Sequence, residues 1–293
     1  MTDDAARLML EGIIWPEGPV CPRCSSKKVT ALQGKTCRAG LKQCRECRKQ
    51  FTVTVGTIFE SSHINLGDWM FAVASMCASK KGISALQLKH ELRVSYETAW
   101  FMCHRIRHAM QSEGGFLKGD VQVDETYVGG KPRKLDPRPR KRGRGTSKTP
   151  VVALVERDGN VRTRVLADVT AKSLKGAIRD YVHPSATLHT DEFPAYRGIG
   201  IGFAGHKVCV HENDEFVATD GGSTNSAESF FALIKRGMYG NFHSVSKKHL
   251  FRYCNEFEFR WNNRDMEYAQ KTGLLLAQVS GKRLMYKGVA GHA

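Results

Sequence analysis

Three carboxylates stand out because each is set in apolar sequence. Asp124 lies in Val-Gln-Val-Asp-Glu-Thr-Tyr-Val, Asp191 in Leu-His-Thr-Asp-Glu-Phe, and Glu228 in the stretch 223–237, Ser-Thr-Asn-Ser-Ala-Glu-Ser-Phe-Phe-Ala-Leu-Ile-Lys-Arg-Gly. Most acids in a basic protein are solvated, so it is the apolar setting that marks these three. The first two sit on strand-like segments. The third opens a helix whose Phe230, Phe231, Leu233, Ile234 and Met238 form the packing face. Ser223, Thr224 or Asn225 is placed to cap that helix, and Lys235 lies two turns beyond Glu228 on the same side. Carboxylates gathered at one spot repel each other and are costly to bury, so their collection makes sense if Mg or Mn ions fill the gap. Two such ions about 3.5 to 4 Å apart activate an attacking oxygen and stabilise a leaving oxygen in phosphoryl transfer.

A second set is sulfur. Cys21-Pro-Arg-Cys24 and Cys44-Arg-Glu-Cys47 give two C-x2-C pairs separated by nineteen residues. Two such knuckles bring four thiolates to the corners of a tetrahedron, the geometry of a structural zinc ion. A redox role is the competing reading; two matched copies favour metal. Cys37, inside the loop, is an unneeded alternative ligand. The remaining cysteines, Cys77, Cys103, Cys209 and Cys254, are scattered singly, and without a secretion signal they read as small buried residues in a reducing compartment. Nine Lys and Arg residues between Arg23 and Lys49 suggest that the ribbon grips DNA.

The elements that would position these groups follow in order. Residues 1–60 read as a zinc ribbon, with Val-Thr-Ala-Leu as one strand and the alternating stretch 50–59 as another. Residues 61–115 carry three helical patterns. The short breaks at Gly82 and Val94-Ser95 fit a helix-turn-helix, and equally a plain three-helix packing unit. In the first case Ser95 caps the last helix and Tyr96, Glu97, Thr98, Arg105 and Arg107 become candidate DNA contacts. His104 and His108 read as part of a basic, solvated face. Residues 116–270 read as the catalytic domain. Three strands in a meander, a helix over 172–182, a strand ending at Asp191 and later helices make a mixed α/β sheet in the order of the ribonuclease H type of fold. That order sets the first and fourth strands side by side, and so Asp124 beside Asp191. A basic insertion, 131–149, rich in proline and glycine, reads as a loop lying on phosphate backbone. Over 246–264 an apolar stripe, Leu250, Tyr253, Cys254, Phe257 and Trp261, reads as core, with Glu256, Glu258, Arg260 and Arg264 mostly on a solvated face. Residues 271–293 read as a C-terminal tail.

The whole chain of 293 residues has a formal net charge of +16 and a pI near 9.6. That excess favours a polyanionic partner, with nucleic acid ahead of a membrane surface. No run approaches the roughly 18 apolar residues of a membrane span, and the acidic opening is unlike a signal peptide, so the expected location is the cytoplasm.

Taken together, Cys-Pro-Arg-Cys24, Cys-Arg-Glu-Cys47, Val-Asp-Glu-Thr-Tyr-Val-Gly-Gly-Lys131, His-Thr-Asp-Glu-Phe193, Asn-Ser-Ala-Glu-Ser-Phe-Phe-Ala-Leu-Ile-Lys-Arg-Gly237 and Glu-Phe-Glu-Phe-Arg-Trp-Asn-Asn-Arg264 span nearly the whole chain. In their order and spacing the chain resembles the DDE insertion-sequence transposases, in particular the zinc-ribbon lineage called insertion sequence fifteen-ninety-five. The resemblance implies Asp124, Asp191 and Glu228 as ligands of Mg or Mn, and Lys235 touching DNA near the active site. Some relatives carry asparagine in place of the third acid, which makes Asn225 the second-choice ligand. It also implies cleavage at the terminal inverted repeats of a mobile element and strand transfer into target DNA, with water and then a freed 3′-hydroxyl as nucleophiles. A homodimer or larger assembly, acting on bacterial nucleoid DNA, is part of the same expectation. The alternatives are a zinc-ribbon DNA-binding regulator with an inactive ribonuclease H-like domain, and a nuclease of the same fold that never rejoins.

Overall fold

The computed structural model describes residues 1–34, 37–112, 114–130, 148–209 and 224–290. Lys35, Ser223 and residues 131–147 of the basic insertion therefore lie outside the described residues. The chain forms two compact units, Met1–Met110 with Asp265–Ala293, and Gln111–Arg264.

The first unit opens with helix α1, Asp3–Ile14, where the Thr2 side chain accepts from the Ala5 N–H and Asp3 and Asp4 fill the first turn. Strands β1 (Val29–Ala31), β2 (Lys42–Cys44) and β3 (Gln50–Phe51) form a small antiparallel sheet in that order. The expected strand over 50–59 stops at Phe51. Beyond it the chain runs in tight turns, such as Val55 N–H to Thr52 C=O (3.1 Å) and Thr57 N–H to Thr54 C=O (3.2 Å). The cause is local: the Thr57 hydroxyl donates to the Thr54 carbonyl, and Gly56 takes a φ of +79° that no strand permits.

Helices α2 (Leu66–Ala78), α3 (Ala85–Leu92) and α4 (Tyr96–Ala109) follow. Arg93, Val94 and Ser95 make the turn between α3 and α4, and Ser95 caps α4 by accepting from the Thr98 N–H. Tyr96 and Glu97 are exposed, whereas Arg105, Arg107 and His104 are buried. Arg105 and Arg107 are therefore not groove contacts, and His104 is not on a solvated face. Arg105 instead donates to the backbone carbonyls of Glu60 and Leu284 and lies over the Phe101 ring at 4.8 Å. Its planar donors suit a buried site that holds two chain segments together.

The second unit is a five-stranded sheet. It is built from β4 (Asp120–Val128), β5 (Thr149–Glu156), β6 (Val161–Val165), β7 (Thr187–Asp191) and β8 (Gly205–Cys209), in the order β6-β5-β4-β7-β8. β4, β5 and β6 are antiparallel neighbours, while β7 and β8 run parallel to β4. This is the ribonuclease H-like order: a three-strand meander whose first strand pairs with the fourth after a helical crossover. The crossover is α5 (Ala171–Tyr181), capped by Thr170. Alternation along the strands divides the core. Val121, Val123, Val152 and Leu188 face α5, and Val128, Val151, Ala153 and Val155 face α6 (Asn225–Gly237) and α7 (Leu250–Asn262).

α7 covers the free edge of β6. Asn262 accepts from the Val161 N–H at 2.7 Å and donates to its carbonyl at 3.1 Å, while Glu258 accepts from both the Thr163 N–H and its hydroxyl. Glu256, Glu258 and Arg260 are thus buried rather than solvated, and they pair along α7 or with β6. The chain then returns to the first unit through α8 (Tyr268–Ala277) and α9 (Tyr286–Ala290). The region read as a C-terminal tail holds most of α8, whose Leu275 and Leu276 are buried among α1 and α2, so it is a packed part of that unit.

Candidate active site

Both sulfur knuckles are turns closed by the backbone. The Ser25 N–H reaches the Cys21 carbonyl at 2.9 Å, and the Cys44 N–H reaches the Lys49 carbonyl at 3.0 Å. The residue after each second cysteine, Ser25 or Arg48, takes a φ near +60°. The Sγ atoms of Cys21 and Cys47 are 3.6 Å apart and those of Cys24 and Cys44 3.5 Å, with all four within 4.8 Å of one another. A zinc ion with Zn–S bonds of about 2.3 Å needs sulfurs about 3.8 Å apart at the corners of a tetrahedron. The four thiols therefore fit structural zinc, and Cys37 is not among them. N–H groups of Cys47 and Glu46 pull the Cys44 thiol down to about 7, against its burial, while its contact with Cys44 helps push the Cys24 thiol up, so without a cation one proton is held within the pair.

The carboxylates are placed by strand register. β4 pairs with β7 from Asp120↔Thr187 to Gln122↔His189. The same offset aligns Asp191 with Asp124, since 189 minus 122 and 191 minus 124 are both 67. Residues in register on parallel neighbours point to the same face. Asp124 faces α6 together with Gln122, and the sheet core on that side is Val128 and Ala153.

α6 is anchored there. The Gln122 side-chain carbonyl accepts from the Ser226 N–H at 2.8 Å and the Ala227 N–H at 3.2 Å. Thr224, the N-cap residue, supplies no side-chain cap. Of the residues expected to close the helix start, Ser223 lies outside the described residues, and a strand residue two positions before Asp124 accepts from two of the first N–H groups. From that anchor Glu228 lies in the first turn, exposed, with Asn225 one turn earlier and Lys235 exposed in the last turn.

Among the described residues only the four cysteines gather closely enough to share one ion; the three acids are linked through the charge that Asp191 and Glu228 exert at Asp124. Burial pushes the Asp124 carboxyl up to about 7; its hydrogen bond from the Glu125 N–H opposes this, and the charges of Glu125, Asp191 and Glu228 add to it. One Asp191 oxygen accepts from the Phe193 N–H at 3.1 Å. Glu125 turns to the other face, where the buried Tyr196 hydroxyl donates to it at 2.7 Å. A second layer lies under the acids: Gln122 beside His189, whose Nε2 is 3.1 Å from an Asp120 oxygen.

Gln122, Glu125 and Tyr196 are absent from the sequence reading. The signal for Gln122 was present in the alternation of Val-Gln-Val-Asp, which puts a buried polar side chain on the same face as Asp124. Glu125 and Tyr196 meet only through the turn after β7. Half-buried, mutually repelling carboxylates are a donor set suited to hard divalent cations, and a lone carboxylate buried to this degree would ordinarily be paired with a base.

Residues 116–262 match the model of the ISXO2-like transposase domain, and residues 1–50 match that of the transposase zinc-ribbon domain. A relative from Halobacterium salinarum, described as an uncharacterized protein in transposable element ISH50, is 30% identical over 273 residues, covering 89% of this chain and 91% of the relative. Among solved structures, the catalytic core domain of BIV integrase is 15% identical with a TM-score of 0.24, covering 57% of this chain and 87% of that one. The simian T-cell lymphotropic virus intasome in complex with PP2A regulatory subunit B56 gamma is 12% identical with a TM-score of 0.27, covering 74% and 67%. No helix among the described residues is long and apolar enough to cross a membrane.

Proposed function

The chain belongs to the ISXO2-like transposase family, and from that premise we propose that it cuts DNA at the terminal inverted repeats of its element and joins the ends to target DNA. The observation that carries this reading is that Asp191, on the strand parallel to that of Asp124, and Glu228 both add their charge at Asp124, with the helix bearing Glu228 tied to the same face through Gln122. Asp124, Asp191 and Glu228 would hold Mg or Mn, with Asn225 as the alternative third ligand. When bound, such ions supply charge neutralisation and an activated oxygen nucleophile for phosphoryl transfer. Two ions share out their ligands, so the three carboxylates need not close as tightly as the four thiols.

The chain's own residues orient the reaction. The Phe193 N–H fixes one Asp191 oxygen, and the Glu125 N–H fixes one Asp124 oxygen. Lys235 meets a DNA phosphate beside the cut, since it is exposed on the side of α6 that bears Glu228. The four cysteines hold zinc and shape the ribbon, and the ribbon with α3 and α4 grips the element end. Tyr96 and Glu97, at the exposed start of α4, are the residues placed to meet bases. Holding two ends together calls for a dimer or larger assembly, acting on nucleoid DNA in the cytoplasm.

The test uses DNA carrying the element's own ends. Asp124→Asn and Asp191→Asn should each lose Mg-dependent cleavage while binding the ends as the parent does. Full cleavage by either variant overturns the assignment. A regulator with an inactive domain would bind equally well in all three forms and cleave in none.

A further inference from the structure

The exposed side of α6 extends past the acid. Glu228, Ala232, Lys235 and Tyr239 are spaced by four, three and four residues, and all four are exposed. At 100° per residue the first three positions stay within about 60° of one another, so they form one stripe along the rod, and Tyr239 follows them in the next turn. The helix does not stop at Gly237. It runs on into a π-helical turn, Met238–Phe242, and ends where His243 takes a φ of +54°. Such turns are rare and recur at functional sites. This one carries Tyr239, 53% exposed, with Gly240 leaving its surroundings open.

Past Glu228 the chain itself becomes cationic. Residues 229–255 contain no Asp or Glu, yet they carry Lys235, Arg236, Lys247, Lys248 and Arg252. Lys235, Arg236, Lys247 and Lys248 are exposed. An exposed aromatic ring on a segment rich in cations is the pairing that single-stranded nucleic acid uses: cations follow the phosphates and the ring takes a base face. A base inside a duplex has both faces covered, so the ring selects a base that has left the stack.

We propose that this stripe is the track for one DNA strand, with Lys235 on a phosphate and Tyr239 stacked on an unpaired base. The inference rests on the reading above for where cleavage occurs. Lys235 lies about 10 Å and Tyr239 about 16 Å from Glu228 along the helix axis. With about 3.4 Å per nucleotide along a strand, that is roughly three and five steps from the scissile phosphate.

The test needs no divalent metal. The full chain is mixed with oligo(dT) in which one thymine is replaced by 5-iodouracil, irradiated, and the cross-linked peptide mapped by mass spectrometry. The expected cross-link is at Tyr239. Tyr239→Ala should bind the oligonucleotide about 5- to 100-fold more weakly, the range for losing one stacked base, and Tyr239→Phe should restore binding. The salt dependence of Tyr239→Ala should match that of the parent, because no charge is removed, whereas Lys235→Ala, which removes the phosphate contact, should lower the slope by about one. Cross-links only at other residues, or unchanged binding by Tyr239→Ala, would overturn the proposal.

The two readings separate cleanly. If Asp124→Asn still cleaves, the metal assignment falls while the cross-link stands. If Asp124→Asn fails to cleave and Tyr239 fails to cross-link, the track falls alone.

Discussion

A buried carboxylate on α7 sets a pH dependence of its own, apart from that of Asp124. Burial pushes Glu258 up to about 7, against the pull of Thr163, which donates from its hydroxyl and its N–H, and of nearby Arg162. The folded-state value lies above the ordinary 4.5, so the folded chain binds the proton more tightly than the unfolded chain. The stabilisation is complete below about pH 4.5 and is lost as pH rises through about 7. Glu258→Gln keeps an acceptor for Thr163 and removes the ionisation. Its melting temperature should change less than the parent's between pH 5 and 8, and at pH 8 it should be the more stable, by an amount on the order of a few kcal/mol. Parallel melting curves for the two proteins would refute this. A second residue-scale consequence concerns sulfur. Cys24→Ser removes one of four ligands, so zinc measured by atomic emission should drop well below one ion per chain. The ribbon's small sheet should then become sensitive to protease, because little apolar surface besides Phe51 and its neighbours holds it together. Full zinc content in that variant would reject the four-cysteine site.

At the scale of elements, the position of Glu228 depends on one side chain from another element. Gln122→Leu leaves the Ser226 and Ala227 N–H groups without their acceptor, a loss of about 1 to 2 kcal/mol. Their amides should exchange with solvent faster, and Mg-dependent cleavage should fall roughly tenfold or more, since about 1.4 kcal/mol is a factor of ten. Exchange as slow as in the parent would show that α6 is held in some other way. Gln122 also marks the limit of what sequence discloses. The meander β4–β6, the strand ending at Asp191, α5 and the sulfur knuckles were legible because alternation, a tight turn at 157–160 and fixed spacing are local signals. β8 was not, since Gly-His-Lys-Val-Cys at an edge carries no alternation. α8 was hidden behind its position near the terminus. The DNA contact expected of Arg105 and the solvated face expected of Glu258 failed for one shared reason: a charge can be buried when carbonyls or an unpaired strand edge wait for it, and those partners lie far away in sequence. The candidate site followed the same division, with its acids visible and the groups that orient them supplied by the fold.

For the molecule as a whole, charge is distributed unevenly along the chain. Residues 131–147 hold eight Lys or Arg and one Asp, a net of +7 out of the total of +16. The strands on either side are paired along their whole length, Val121–Val128 against Thr149–Glu156, so the ends of this tract leave the sheet at adjacent positions. A short Gly-Asn turn can join them without disturbing the register. Replacing 131–147 in this way should therefore leave the melting temperature of the second unit nearly unchanged while removing phosphate contacts. A protein that neutralises six to ten phosphates loses roughly a thousandfold or more in affinity between about 50 and 200 mM salt, with a slope of about 0.9 per phosphate. If the tract lies on DNA backbone, the shortened chain should show a slope smaller by several units and weaker binding at low salt. Its preference for element ends over unrelated DNA should be retained, because phosphate contacts carry no sequence information. A slope equal to the parent's would mean that the tract is merely solvated, leaving the ribbon and the α6 surface to account for the grip on DNA.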